Sequence, residues 1–151
     1  EALGLSLAGR HGELRRQFAR CFAPADRADI AQLRQRIRVA SPVSVEVQAS
    51  RRERAQGVEA RASVYQAFAQ QWMLALTYLD GRQRRSERVV EPQCLLLAWP
   101  FWYLLAWDCE REGVRTFRLD RIVQARRGGQ RFQVRDPARF WAACDEVGVA
   151  L

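Results

Sequence analysis

Residues 72–122 read WMLALTYLDGRQRRSERVVEPQCLLLAWPFWYLLAWDCEREGVRTFRLDRI, and this stretch decides the fold. From Trp72 onward the pattern has period two, and Met73–Leu79 predicts a strand with one face buried. It runs into Asp80-Gly81, a dipeptide that turns hairpins. Glu87–Glu91 alternates valine with charge and is expected to stop at Pro92, whose nitrogen has no hydrogen to give a ladder. Phe101–Trp107 is apolar on both faces, the pattern of a strand covered on two sides. Glu112-Gly113 turns the chain into Val114–Val123, and Gly128-Gly129 is read as one more turn before Arg131–Val134. Short strands about ten residues apart, joined by tight turns, predict a small antiparallel barrel or a strongly bent sheet.

Helices flank these strands. Ala60–Gln71 places Val64, Phe68 and Trp72 on one face, and Pro137 opens a final helix, Ala138–Val147. Upstream, Leu3, Leu5, Leu7, Leu14, Phe18 and Phe22 follow a helical period as far as Pro24. A second amphipathic segment carries Ile30, Leu33 and Ile37 and ends before Ser41-Pro42. Val43, Val45 and Val47 suggest a short strand, followed by a charged loop. The class is α+β, with residues 1–58 expected to form a helical connector or dimerisation arm. Residues 59–151 are expected to form the sheet domain with its short C-terminal helix.

Composition narrows the function. With 151 residues, 48% hydrophobic and 28% charged, the chain has the length of one domain and enough apolar surface to fold. No apolar run approaches the ~20 residues of a membrane span, and nothing at the start reads as a signal peptide. The first residue is Glu1, so an upstream part of a longer protein is expected. Cys21, Cys94, Cys109 and Cys144 lack metal-ligand spacing and His11 is the single histidine, so neither a metal nor a cofactor is expected. Free thiols in a reducing cytoplasm are the preferred reading. All 25 basic residues are arginine and the net charge is +8, which permits an anionic partner. General acid–base work at neutral pH wants a histidine, a lysine or a shifted carboxylate. The lone His11, the lack of lysine and the absence of nucleophile-elbow, Walker or dinucleotide motifs argue against an enzyme.

Within about 50 residues the chain carries Tyr78, then Arg88-x-x-x-Pro92, then Trp102-Tyr103-Leu104, then Arg115-x-Phe117-x-Leu119-Asp120-Arg121. This ordered series resembles the WYL-domain family of bacterial transcription regulators. The resemblance covers the middle third to half of the chain. It implies an Sm-like β-barrel that senses a ligand in a cytoplasmic homodimer, with DNA read by an upstream winged helix-turn-helix domain. Two departures stand out: residues 1–40 have too few elements for a helix-turn-helix, and the chain ends soon after the barrel.

The residues suggest a pocket by themselves. If Val114–Val123 is one strand, Arg115, Phe117, Leu119 and Arg121 share a face, with Thr116, Arg118 and Asp120 on the other. Guanidinium forks match phosphate or carboxylate oxygens, and phenol rings add stacking surfaces and hydroxyls. Tyr78, Arg88, Tyr103, Arg115, Arg118 and Arg121 are therefore the expected ligand-binding set, for a nucleotide or a short single-stranded nucleic acid. Blander readings stand beside it. Trp102, Leu104 and Ala106 read as core, Tyr103 and Trp107 could pack under the flanking helix, and Asp120 could form a structural ion pair with Arg118 or Arg121. Arg84-Arg85 and Arg126-Arg127 read as solvated loop charges. A structural dimerisation module, or a nucleic-acid-binding module acting through Arg126–Arg139, are the competing functions.

Overall fold

A computed structural model describes residues 24–40, 58–98 and 101–145. The expected helix over residues 1–22 and the strand over Val43–Val47 lie outside these. Two compact units meet between Arg34 and Gln35. What is described of the first is helix α1, Pro24–Arg36, whose last two residues already belong to the second. The second unit continues with β1 (Ile37–Val39), α2 (Val58–Gln70), β2 (Trp72–Leu79), β3 (Arg85–Ala98), β4 (Phe101–Asp108) and β5 (Gly113–Arg118). A 3-10 turn (Leu119–Arg121), β6 (Ile122–Arg131) and α3 (Pro137–Asp145) complete it.

The strands form one sheet in the order β5-β4-β3-β2-β6, antiparallel throughout, with β1 added in parallel beside β3. The α+β class is as expected. The barrel is not: β5 and β6 are the two ends of the hydrogen-bonded path, and among the described residues no ladder joins them. A side chain spans part of that gap. The Arg118 N–H donates to the Tyr78 hydroxyl at 3.3 Å, and the Tyr78 ring meets Phe117 edge-on at 5.1 Å.

Three boundaries differ from the sequence reading, each for a local reason. β3 does not stop at Pro92 but runs on to Ala98. Its ladder with β2 ends at Val90 and its ladder with β4 shifts register between Pro92 and Cys94, and a bulge tolerates a residue that cannot donate. Gly128-Gly129 is not a turn. It lies inside β6 at a register shift against β2, and a side chain on Gly128 would start 3.1 Å from the Met73 carbonyl oxygen. The run Val114–Val123 is not one strand, because the 3-10 turn breaks it. The Asp80-Gly81 hairpin does form. Its left-handed residue is Gln83, at φ 61°, and the Asp80 carbonyl accepts from Gln83 N–H at 3.0 Å.

Each face of the sheet is covered by one helix. On one side α2 turns Ala60, Val64, Ala67 and Phe68 inward, spaced for a single helical stripe, toward β2, β3 and β6. Leu74, Leu76, Val90 and Leu104 share that face of the sheet by register and are buried. On the other side α3 buries Phe140, Trp141 and Cys144 against Cys94, Leu96 and Leu105, with Tyr103 and Trp107 packed at the margin. Trp102, Leu104 and Ala106 were read as core; Leu104 and Ala106 are fully buried and Trp102 partly so.

Cys94, Cys109 and Cys144 are free thiols. Burial pushes Cys94 up from 9.0 to about 12, against the pull of Arg36 and Arg38. The folded state therefore holds a proton that the unfolded chain releases near its ordinary value. Stability is intact below about pH 8.5 and falls progressively toward pH 12. Melting temperatures between pH 8 and 11 should fall more steeply in the wild type than in Cys94→Ala, and parallel curves would contradict this.

Candidate ligand-binding cleft

In a meander, alternate hairpin turns lie at the same end of the sheet. The β2–β3 turn and the β4–β5 turn therefore approach one another, and with the starts of β3 and β5 they border a cleft of about 470 Å³. Tyr78 and Phe117 form its ring-bearing wall. Five arginines line it: Arg84, Arg85 and Arg88 from one hairpin, Arg111 and Arg115 from the other. Asp80 is the one carboxylate in the lining.

The two arginine groups differ in how they are held. Arg84 donates through Nε to Asp80 at 2.7 Å, and Asp80 also accepts the Arg82 and Arg84 backbone N–H groups, which hold its carboxyl below the usual range. Arg85 lies 3.9 Å from Glu87. Arg88, with its side chain 19% exposed, places Nε 3.6 Å from the buried Asp108 carboxylate and Nη1 4.0 Å from Glu110. Asp108 Oδ1 accepts the Glu110 and Arg111 N–H groups and so shapes the β4–β5 turn, whereas Oδ2 has no hydrogen-bond donor. Arg111 and Arg115 are exposed, and among the described residues no carboxylate pairs with either. Arg115 has only a 3.2 Å bond to the Val114 carbonyl in its own strand. Uncompensated positive charge is thus concentrated on the β5 side.

Of the six expected residues, Tyr78, Arg88 and Arg115 meet in this cleft. The other three do not. Tyr103 pairs across the ladder with Arg118, on the sheet face that carries α3, opposite to Arg115. Burial there pushes the Tyr103 phenol up, partly offset by Arg118. Arg118 bonds Asp120 through Nε at 3.0 Å and stacks 3.8 Å from the Phe101 ring. Its hydrogen bond to Asp120 raises its pKa despite partial burial. Arg121 belongs to the 3-10 turn, and its guanidinium lies 3.6 Å from where a side chain on Gly81 would begin. The alternation that would have joined Arg121 to Arg115 fails because a 3-10 turn repeats every three residues, not every two.

Arg84, Arg85 and Arg111 were missed in the sequence as cleft residues. The signal was available in the meander rule itself, since arginines in the first and third turns of four consecutive strands must be neighbours. Within Arg126–Arg139, Arg127 and Arg131 both stack on Trp72 at 4.7 Å, and Arg135 and Arg139 on Trp107 at 4.4 and 4.6 Å. Among the described residues no group of His, Cys, Asp and Glu is placed to hold a metal, and no helix is long and apolar enough to cross a membrane.

Residues 59–127, from the start of α2 to the bulge in β6, match the model of the WYL domain. The chain carries a WYL domain. Protein PafC of Mycobacterium leprae is 41% identical over 66 residues, which are 43% of this chain and 20% of PafC. Protein PafC of Mycobacterium tuberculosis is 43% identical over 53 residues, 35% of this chain and 17% of that protein. Among solved structures, the proteasome accessory factor B/C (PafBC) of Arthrobacter aurescens aligns with a TM-score of 0.47 and 33% identity. That alignment covers 60% of this chain and 14% of PafBC. The WYL domain described here thus spans about a fifth or less of the length of the relatives it matches.

Proposed function

We propose that this chain is the ligand-sensing part of a bacterial transcription regulator, and that its WYL domain binds an anionic ligand, a nucleotide or single-stranded nucleic acid, in the cleft between the two hairpins. One observation carries the reading: five arginines converge on a single cleft that contains one carboxylate, and the two on β5 are uncompensated. Like charges held together in this way repel, and an anion relieves that repulsion as it binds. Phosphate oxygens would meet Arg111 and Arg115 first, while the Tyr78 and Phe117 rings form the wall behind them. Arg88 is a different kind of group. Drawing it away would leave the buried Asp108 without its neighbouring cation, so Arg88 stays in place and acts as a fixed charge.

Binding would draw the two hairpins together and so bias how the domain sits relative to an attached DNA-binding part. A ligand can do this only through unequal affinity for the two arrangements. The reading is non-catalytic. Titration of the full chain with single-stranded oligonucleotides, nucleotides and inorganic phosphate tests it. Arg115→Ala and Arg111→Ala are each expected to weaken binding about tenfold, while Arg118→Ala, on the opposite sheet face, changes it less than about twofold. Equal losses at all three positions would mean that general positive charge, not this cleft, attracts the ligand.

A further inference from the structure

A second cleft of about 320 Å³ adjoins the first, and Arg88 lines both. The two differ in charge. The first holds five arginines against Asp80, whereas the second holds Arg88 and Arg126 against Glu87 and Glu110, two of each sign. The partition between them is the loose Arg88–Glu110 pair, at 4.0 Å.

The ladder registers give the second cleft an ordered floor. Across β3, β2 and β6 one row reads Val89, Ala75, Arg126, and the next reads Glu87, Thr77, Gln124. Side chains of both rows project from the same face of the sheet, because the rows are two residues apart on every strand. Val89 is an exposed apolar residue and Ala75 beside it is exposed as well, so a small flat apolar surface lies open next to a row of hydrogen-bonding groups. Glu87 can only accept when ionised, whereas Thr77 and Gln124 can both donate and accept. A flat ring resting on Val89 and Ala75 would present its edge to these three, with the Arg88 guanidinium plane beside it.

We infer that the second cleft is a base-binding subsite, and that the ligand is a nucleotide unit with its phosphate among the arginines of the first cleft and its uncharged ring on the Ala75–Val89 floor. This rests on the anionic-ligand reading above and adds to it the residues that sense the base. The charge difference between adjoining clefts favours a ligand with an anionic head and a neutral, flat body. Such a unit can come from a free nucleotide or from one residue of a single strand.

The test uses fluorescence anisotropy of the full chain with a labelled oligothymidylate and an abasic strand of the same length. The abasic strand is expected to bind at least about tenfold more weakly. Ala75→Phe, which fills the second cleft from an exposed strand position, should remove most of that difference and leave abasic binding unchanged. Arg115→Ala should weaken both probes by a similar factor. Competition by thymidine monophosphate but not by inorganic phosphate identifies a free nucleotide as a sufficient ligand. Competition only by unlabelled oligothymidylate assigns the subsite to a strand. Equal wild-type affinity for the two probes overturns the subsite while Arg115-sensitive binding keeps the anion cleft standing. Binding of neither probe overturns both.

Discussion

Arg36→Ala is expected to destabilise the folded domain by about 3–5 kcal/mol, the range for stranding one side of a buried charged hydrogen-bond network. Arg36 is 1% exposed, and no carboxylate is among the bonds that hold it. Its Nε donates to the Gln93 carbonyl at 2.6 Å, and Nη2 donates to the Pro92 and Phe68 carbonyls at 2.9 and 3.3 Å. The guanidinium also lies 4.2 Å from the Phe68 ring centroid. These carbonyls need a donor. Phe68 is in the last turn of α2, where the helix leaves its C=O groups unpaired and concentrates negative dipole. Pro92 and Gln93 sit at the β3 bulge, where the ladder is interrupted. One side chain at the end of α1 thus serves orphaned acceptors from two other elements. Burial lowers the Arg36 pKa, with the Cys94 thiol partly offsetting. Urea denaturation of Arg36→Ala and Arg36→Met measures the effect. Methionine restores volume but no donor, so it should recover only a minor part of the loss. A cost below about 1 kcal/mol for alanine would mean that water replaces the guanidinium without penalty.

Phe140→Ala should cost about as much, roughly 3–5 kcal/mol, by a different mechanism. Phe140 is fully buried in the cluster that joins α3 to β3 and β4, and its removal leaves a cavity between Leu96, Leu105 and Trp141. The helix would keep its other ties. Trp141 donates to the Gln35 carbonyl at 3.1 Å and stacks with Arg38 at 4.5 Å. The linker before α3 is held by Gln93, which bonds the Arg135 N–H and the Gln133 carbonyl, and by the Arg135–Glu91 pair at 2.8 Å. Because these ties persist, the variant should lose stability without losing the helix: the denaturation midpoint falls while far-ultraviolet dichroism of the native state is preserved. A midpoint that does not move would place α3 outside the cooperative unit. Ligand affinity should be little changed, since the hairpin cleft lies on other elements.

The arrangement of the site was only partly legible in advance. Tyr78, Arg88 and Arg115 were placed together from two-residue alternation on adjacent strands, which is a local property and held over β2, β3 and β5. Tyr103 was assigned to both a pocket and a helix-covered face, and packing chose the second. Arg121 was placed with Arg115 on the assumption of a continuous strand. Nothing in the run Thr116–Ile122 announces a turn, since Arg118, Leu119 and Asp120 suit a strand as well as a 3-10 turn. The break arises because β6 must reach β2, five strands of chain away from its own neighbour β5 in sequence.

The sequence alone determined what depends on residues within one turn or one strand of each other. Alternation defined the strands, apolar spacing defined α2, Pro137 opened α3, and the ordered Tyr, Arg, Pro and Trp-Tyr-Leu series marked the family. The tertiary structure decided what depends on distant partners. It left the sheet open, carried β3 through Pro92, and turned Gly128-Gly129 into a close approach between strands. It also selected Arg36, from several arginines of similar local context, as the buried one. The physical reason is common to all of these. Local propensity depends on near neighbours, whereas desolvation, charge compensation and ladder curvature depend on groups that only the folded chain brings into contact.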